Sequence, residues 1–189
     1  MKKLLLTVLV YLYALIVDAQ ENYLGLPLTL EFNNQNYTLG WSDNSKSHLY
    51  AQEYFPEGQT VENFTEMFSV WLFTVDISPQ DFINSKHKWL ESRGEDPVYN
   101  REIYENGDAR MMDFLISAWG EGTVSMVEFN VYLCIPLKVN DIDGLLVCFY
   151  THDAEGDDIM PMLSSLKEER GKVIRAMSGY QLPEIHLTK

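Results

Sequence analysis

Between Thr123 and Lys138, apolar side chains stand at every second position. The same alternation resumes over Leu145–Phe149, after a turn at Asn140–Gly144. The apolar positions of the two stretches are Val127, Phe129, Val131, Leu133, Ile135, Leu137, Leu145, Val147 and Phe149. A period of two puts alternate side chains on one face of a strand, so the pattern predicts a long antiparallel hairpin with one buried face.

Matching the apolar positions of the two strands predicts the register of this hairpin, because a slip of one residue would turn every core side chain outward. Leu133 is then expected opposite Phe149. The same register sets Cys134 opposite Cys148, and these are the two cysteines of the chain. It predicts a cross-strand disulfide if the pair is of the non-hydrogen-bonded type, and two reduced, buried thiols otherwise.

Further strands are predicted on both sides of the chain's middle. Asn33–Asn36 separates two β-rich runs and is expected to form a polar four-residue hairpin loop. Asn106-Gly107 is the strongest two-residue hairpin signal and lies between two more such runs. The predicted strands are Leu28–Phe32, Tyr37–Trp41, His48–Phe55, Val70–Val75, Val98–Glu105 and Arg110–Trp119.

Two substantial helices are predicted, at about 79–93 and 158–178. Ser78 followed by Pro79 is a helix start, and Gly94 supplies the stop. A short helix is also expected over Val61–Phe68, behind a Thr60 cap. Helices are missing between most strands, which argues against a parallel α/β sheet. We therefore predict an α+β fold, an antiparallel meander packed by two main helices, as a single domain over residues 20–189.

The first 19 residues have the pattern of a signal peptide. Lys2 and Lys3 precede the apolar run Leu4–Val17, which would span about 21 Å as a helix and is short of the roughly 30 Å bilayer core. Small or modest residues in Val17-Asp18-Ala19 predict cleavage before Gln20. We expect a secreted or periplasmic protein with no membrane span after cleavage.

The net charge of the chain limits the classes of molecule that it can bind. Asp and Glu number 28 against 14 Lys and Arg, a formal net charge of −14. Such a surface repels polyanions, so nucleic acid is excluded as a partner. By the sign of the charge, cationic or sugar ligands are favoured over anionic ones.

Catalytic and metal-binding motifs are missing from the sequence. The four histidines lack ligand spacing, and we expect no metal and no cofactor. The acidic loop Asp153–Asp158 could bind calcium but lacks a Glu at the twelfth position, and the alternative is that it charges the start of the last helix. Dispersed carboxylates leave a secreted hydrolase as the alternative function; those considered are Asp76, Asp81, Glu91, Asp113 and Glu128.

The function expected from these observations is non-enzymatic binding of a partner protein or a small ligand. Loops beside rigid strands usually carry function. The predicted ligand-binding residues are Trp41, Tyr54, Glu57, Gln59 and Asn63. Aromatic residues that could line a cleft, or else form core and cross-strand pairs, are Tyr37, Trp41, Tyr50, Tyr54, Phe55, Trp71 and Phe73. An envelope-assembly partner with an exposed apolar patch is a third reading.

Three segments resemble those of small uncharacterised bacterial secreted proteins: Tyr54–Phe68, Val127–Val131 and Lys167–Met177. The resemblance implies a PsbP-like α/β/α sandwich, in which an antiparallel sheet lies between helices, and it implies no activity. The chain departs from the pattern at Phe64, where Trp is usual, and at Tyr132–Cys134, where a basic residue is usual. A ligand site built on that basic residue is therefore not expected here.

Overall fold

In the part of the chain that the structure describes, eight antiparallel strands form one sheet with a helix against each face. This computed structural model describes residues 20–94, 96, 100–120, 122–139 and 142–188, so the predicted signal peptide at 1–19 lies outside the described residues. The α+β class with an antiparallel sheet is confirmed. The strands are β1 (Thr29–Phe32), β2 (Gln35–Asp43), β3 (Leu49–Phe55), β4 (Glu66–Phe73), β5 (Asn100–Asn106), β6 (Ala109–Gly120), β7 (Thr123–Val139) and β8 (Ile142–Glu155).

The strand order is β1-β2-β3-β4-β8-β7-β6-β5, so two four-stranded meanders join where β4 pairs with β8. Helix α1 (Pro79–Ser92) connects the meanders, and helix α2 (Ile159–Ser178) follows β8 after one 3₁₀ turn. Both main helices are where the sequence predicts them. The Ser78 hydroxyl caps α1 by accepting the Asp81 N–H at 3.0 Å. Among the described helices, none has the length and apolar character to cross a bilayer.

Each face of the sheet carries its own core. Alternate residues of β7, such as Phe129 and Leu133, face α2, and we call this the α2 side. The intervening residues Tyr132 and Cys134 lie with Ile83 of α1, on what we call the α1 side. The alternation predicted along β7 is therefore confirmed, but its second face is buried as well.

The predicted register of the β7–β8 hairpin is wrong by one residue. Leu133 pairs with Cys148, and Cys134 pairs with Val147. Cys148 therefore belongs to the α2-side core and Cys134 to the α1-side core. The two thiols point to opposite faces and are free, so the predicted disulfide is absent. Burial raises the pKa of both, that of Cys148 to about 12.

The helix predicted over Val61–Phe68 is also wrong. The segment 60–65 is a non-helical loop, and Glu66 already begins β4. The Gln59 side-chain oxygen accepts the N–H groups of Thr65 and Glu66 at 2.7 and 3.1 Å, which closes the loop and starts the strand. Phe68 stacks on Phe32 of β1 with ring centroids 4.9 Å apart. These long-range contacts override the local helical pattern.

The hairpin predicted at the start of the chain is present, with a shorter loop than predicted. Phe32 pairs with Gln35, so two residues form the turn instead of four. Asn33 and Asn34 both have positive φ, 50° and 64°. Asparagine tolerates this left-handed conformation better than most residues, which explains the tight turn.

Arg170 fastens α2 to the β5–β6 edge of the sheet. Its guanidinium donates to both carboxylate oxygens of Asp113, at 2.8 and 3.1 Å, and lies 3.1 Å from Glu102. The Tyr104 hydroxyl oxygen lies 2.8 Å from a carboxylate oxygen of each, and its single hydrogen is shared between them. Asp113 is only 2% exposed, so its charge depends on this network.

Candidate functional site

A β-bulge in β2 sets the direction of Trp41. The pairing with β3 runs from Leu39 opposite Tyr54 to Trp41 opposite Glu53, which leaves Gly40 as an extra residue. Leu39 packs on the α2-side core, whereas Trp41 packs on the α1-side core. In a strand without a bulge, two residues that stand two positions apart, as Leu39 and Trp41 do, would share a face. Bulges of this kind re-aim side chains beside functional sites.

Glycine is required at this bulge because the neighbouring backbone approaches a ring. A Cβ on Gly40 would stand 2.6 Å from the Phe55 ring, closer than real Cβ contacts. A larger residue would have to move Phe55, which is buried, or open the bulge. The geometry of Trp41 therefore depends on the absence of a side chain at position 40.

Trp41 begins a row of side chains that crosses five neighbouring strands on the α1 side. Each member pairs directly with the next across β2, β3, β4, β8 and β7. The row consists of Trp41, Glu53, Ser69, Phe149 and Tyr132. Helix α1 packs mainly on β6 and β7 and so covers one end of the row. At the other end Trp41 and Glu53 remain half-buried, as do Trp71 and Phe73 beside them.

Polar groups in and beside this row lack partners among the described residues. The Ser69 hydroxyl is wholly buried without a hydrogen bond, and so is the Trp71 indole Nε1. Glu53 forms no ion pair or hydrogen bond within the described part of the chain, and burial raises its pKa to about 7. Buried polar atoms are nearly always hydrogen-bonded, so the Ser69 and Trp71 atoms are exceptions, and they lie beside the half-buried Glu53 carboxylate.

Aromatic rings surround these groups. Trp71 meets Phe149 edge to face, with ring centroids 4.9 Å apart, and Phe73 lies 6.4 Å from Trp71. Tyr132 lies 4.9 Å from Phe149 on the other flank. We call the whole set the aromatic site: Trp41, Glu53, Ser69, Trp71, Phe73, Tyr132 and Phe149.

A lysine from α1 lies over the covered end of the aromatic site. The Lys86 Nζ is 4.9 Å from the Tyr132 ring centroid and 4.6 Å from that of Trp89, within cation–π range. Burial lowers the pKa of Lys86, while the nearby Glu128 charge acts against that shift. The α1 side of the sheet thus already holds one ammonium group over its rings.

A pair of carboxyl side chains lies farther along the α1 side of the sheet. Glu128 pairs directly with Asp153 across β7 and β8. Burial, reinforced by the Glu128 charge, raises the pKa of Asp153 to about 7, and its buried Oδ1 has no partner among the described residues. Asn130 donates to Glu128 at 2.5 Å and accepts from Thr151 at 2.9 Å, which holds Glu128 in place.

Among the sequence-predicted site residues, Trp41 belongs to the aromatic site. Tyr54 instead is buried on the α2 side, where its hydroxyl accepts from Gln52 at 2.7 Å. Gln59 is occupied in closing its loop and, with the exposed Glu57, borders a groove of about 540 Å³. Asn63 lines a different cleft of about 700 Å³, together with Asp153. The five residues therefore do not form one site.

Sequence reasoning missed Glu53 and Ser69. A glutamate in the middle of the predicted strand His48–Phe55 was a usable signal, because a charged residue there must face either solvent or a ligand. Ser69 stood between the mistaken helix and the next predicted strand. Trp71 and Phe73 were named as cleft candidates, and the structure places both at the aromatic site.

The acidic loop and the remaining carboxylates do not add a metal centre. Within the described residues, no group of three or more His, Cys, Asp or Glu side chains could hold a metal ion. Asp157 and Asp158 are exposed, and Asp158 makes no side-chain cap to α2. Of the carboxylates considered for hydrolysis, Asp113 is ion-paired on the α2 side, whereas Glu128 lies opposite another carboxylate.

Comparison with known proteins assigns the chain to a family. A protein-family model matches residues 24–182, which include the whole sheet and both helices. A search of curated proteins found no match.

Proposed function

This chain belongs to the uncharacterised bacterial family whose model spans residues 24–182, and we propose that it is a non-enzymatic protein that binds a small ligand at the aromatic site. The observation that carries the proposal is a pair of buried polar atoms without a hydrogen bond, Ser69 Oγ and Trp71 Nε1, beside half-buried rings and the Glu53 carboxylate, which has no ion pair within the described residues. Hydrophobic and aromatic side chains with a few convergent polar groups are the usual lining of small-molecule sites.

The experiment is a ligand screen read at the tryptophan indoles. The mature protein, labelled with ¹⁵N, is titrated with a library of amines, sugars and neutral compounds, and the four indole N–H resonances are followed. A ligand of the aromatic site shifts the Trp71 resonance and leaves that of Trp119, which is 59% exposed on β6, in place.

Variants then locate the binding. Trp41→Ala and Glu53→Gln should each weaken a ligand found in the screen by at least tenfold, and Trp119→Ala should not. The proposal is wrong if no compound of any class shifts the Trp71 resonance. It is also wrong if the compounds that shift this resonance bind to both site variants as tightly as to the wild type.

We further propose export of the protein and a place in the PsbP-like α/β/α class. The Lys2–Ala19 signal pattern supports export, and the layering of α1, sheet and α2 supports the class. Mass spectrometry of the protein from its bacterial producer should find Gln20 as the first residue, in the periplasmic or culture fraction. A full-length chain confined to the cytoplasm would refute export.

A hydrolase is the second candidate, because Glu128 and Asp153 face each other across β7 and β8. Paired carboxylates with one raised pKa are the arrangement that glycoside hydrolysis uses. Turnover of a panel of aryl glycosides, lost in both Glu128→Gln and Asp153→Asn, would favour this function. Absence of turnover across the panel would leave the binding function alone.

A further inference from the structure

We infer that the ligand of the aromatic site is an organic ammonium ion, held by the Glu53 carboxylate between the indole rings of Trp41 and Trp71. This inference rests on the proposed function and specifies its ligand class.

Strand pairing brings the three groups together. Glu53 lies directly opposite Trp41 on β2 and Ser69 on β4, and Trp71 is its diagonal neighbour on β4. Direct cross-strand neighbours have Cβ atoms about 5 Å apart, and diagonal ones about 7–8 Å, which long aromatic side chains bridge. A cation beside the Glu53 carboxylate would therefore lie within the roughly 6 Å at which indole faces attract ammonium groups.

The described residues supply no cation for this carboxylate. Glu53 forms no ion pair within the described part of the chain, and Lys86 lies at the far end of the row, over Tyr132. A half-buried carboxylate without a counter-charge is unfavourable, and an ammonium ion removes that penalty. A neutral sugar would leave the charge uncompensated, so the unpaired carboxylate favours the cation.

Lys86 shows that this side of the sheet accepts an alkylammonium group. Its Nζ lies over the rings of Tyr132, Trp89 and Phe114, at 4.9, 4.6 and 5.9 Å from their centroids. The Trp41–Trp71 end has equivalent rings and a carboxylate, but no lysine from α1. The net charge of −14 adds a long-range attraction for cations.

Binding should be linked to the ionisation of Glu53. Burial raises the pKa of Glu53 to about 7, and a bound cation would favour the ionised carboxylate, so binding near neutral pH releases a proton. Other titratable groups on this side of the sheet, which the variant controls must separate from Glu53, are Asp43, Lys86, Glu128, Tyr132 and Asp153.

The test compares choline with 3,3-dimethylbutan-1-ol, which has the same shape without the charge. Both are titrated into the mature protein, with the Trp71 indole resonance as readout. At pH 8 we expect choline to bind at least tenfold more tightly than the alcohol. At pH 6 we expect choline to bind about tenfold less tightly than choline does at pH 8, because Glu53 is then mostly protonated. Calorimetry in two buffers of different ionisation enthalpy should detect the released proton near pH 7.

Glu53→Gln should bring the two probes to equal affinity and abolish the pH dependence, whereas Glu57→Gln, an exposed glutamate nearby, should change neither. Thermal unfolding of Glu53→Gln checks that the variant is folded. Equal binding of both probes to the wild type, or choline binding that Glu53→Gln does not weaken, overturns the inference.

The outcomes separate the two proposals. If neither probe binds but a sugar or another neutral compound shifts Trp71, the ammonium inference is wrong and the binding function stands. If no compound of any class shifts Trp71, both are wrong.

Discussion

Replacing Glu53 with glutamine should stabilise the free protein at pH 8 and leave its stability nearly unchanged at pH 4. The folded environment raises the pKa of Glu53 from its ordinary value of 4.5 to about 7. At a pH below about 4.5 the carboxyl group is protonated in both the folded and the unfolded protein, and its contribution to stability is complete. As the pH rises from about 4.5 to about 7, the unfolded chain ionises before the folded protein does, and this contribution is lost. Glutamine has the same shape and carries no charge to lose.

The magnitude follows from the pKa. At 1.36 kcal/mol for each pH unit, the rise from 4.5 to about 7 corresponds to about 3.4 kcal/mol of free energy of unfolding. The carboxylate is only half-buried, and solvent screening reduces this to about 2 kcal/mol. We therefore expect Glu53→Gln to be about 2 kcal/mol more stable than the wild type at pH 8.

Urea unfolding followed by tryptophan fluorescence measures this difference at pH 4, 6 and 8. The gap between variant and wild type should open between pH 4 and 8, and the urea dependence of the free energy should stay the same. Glu57→Gln serves as the control, since its exposed side chain should give no such gap. A gap of the same size at pH 4 and pH 8, or a variant less stable at pH 8, would refute the reasoning.

Three other substitutions or treatments test separate features. Gly40→Ala should destabilise the protein by about 1–3 kcal/mol and change the Trp41 fluorescence, because the new methyl group meets the Phe55 ring. Arg170→Gln should cost about 3–5 kcal/mol in urea unfolding, because it leaves a buried aspartate charge unpaired. Cys134 and Cys148 should react slowly with a thiol reagent in the folded protein, and both should react after denaturation, since burial raises both pKa values.

Matched controls accompany these tests. Gly171→Ala, in the interior of α2, meets only the end of a flexible arginine and should stabilise the helix by up to about 1 kcal/mol. Lys172→Gln removes an exposed pair with Glu169 and should cost less than about 1 kcal/mol. If Gly40→Ala leaves the stability unchanged, the close contact with Phe55 does not constrain the bulge. If Arg170→Gln costs no more stability than Lys172→Gln, the network around Asp113 does not stabilise the fold as argued. Fewer than two reactive thiols after denaturation would contradict free cysteines.

The sequence predicted the elements far better than their pairing. The start of α1 at Ser78 and Pro79, the length of β7 and the extent of α2 each depend on local patterns, and the structure agrees with all three. The β7–β8 register failed because both faces of the sheet are buried. Leu145–Tyr150 is apolar at every position, so its alternation cannot say which residues face which helix.

The helix predicted over Val61–Phe68 failed for a long-range reason. Phe68 packs on Phe32 and Tyr180, residues at the opposite ends of the chain, and no local pattern reports those contacts. β4 also pairs with β8, about eighty residues later. The strand is thus selected by partners that the sequence does not place beside it.

The candidate site was predictable only in its aromatic residues. Trp41, Trp71 and Phe73 could be named from residue type, whereas Ser69 had no such signal and Glu53 had only its place within a predicted strand. Ser69 and Glu53 matter because the strand order sets them side by side without partners, and that order emerges only from the assembled sheet.

The bulge at Gly40 has a consequence for comparing members of the family. The side on which Trp41 emerges depends on whether position 40 is bulged out of the pairing with β3 or is paired in regular alternation. A relative that lacks this residue would have its tryptophan paired directly after Leu39 and still on the α1 side, whereas a relative in which position 40 is paired regularly would present its tryptophan to the α2 side. Members should therefore be compared by whether position 40 is bulged or paired, and not by a shared tryptophan alone, before any shared ligand is assumed.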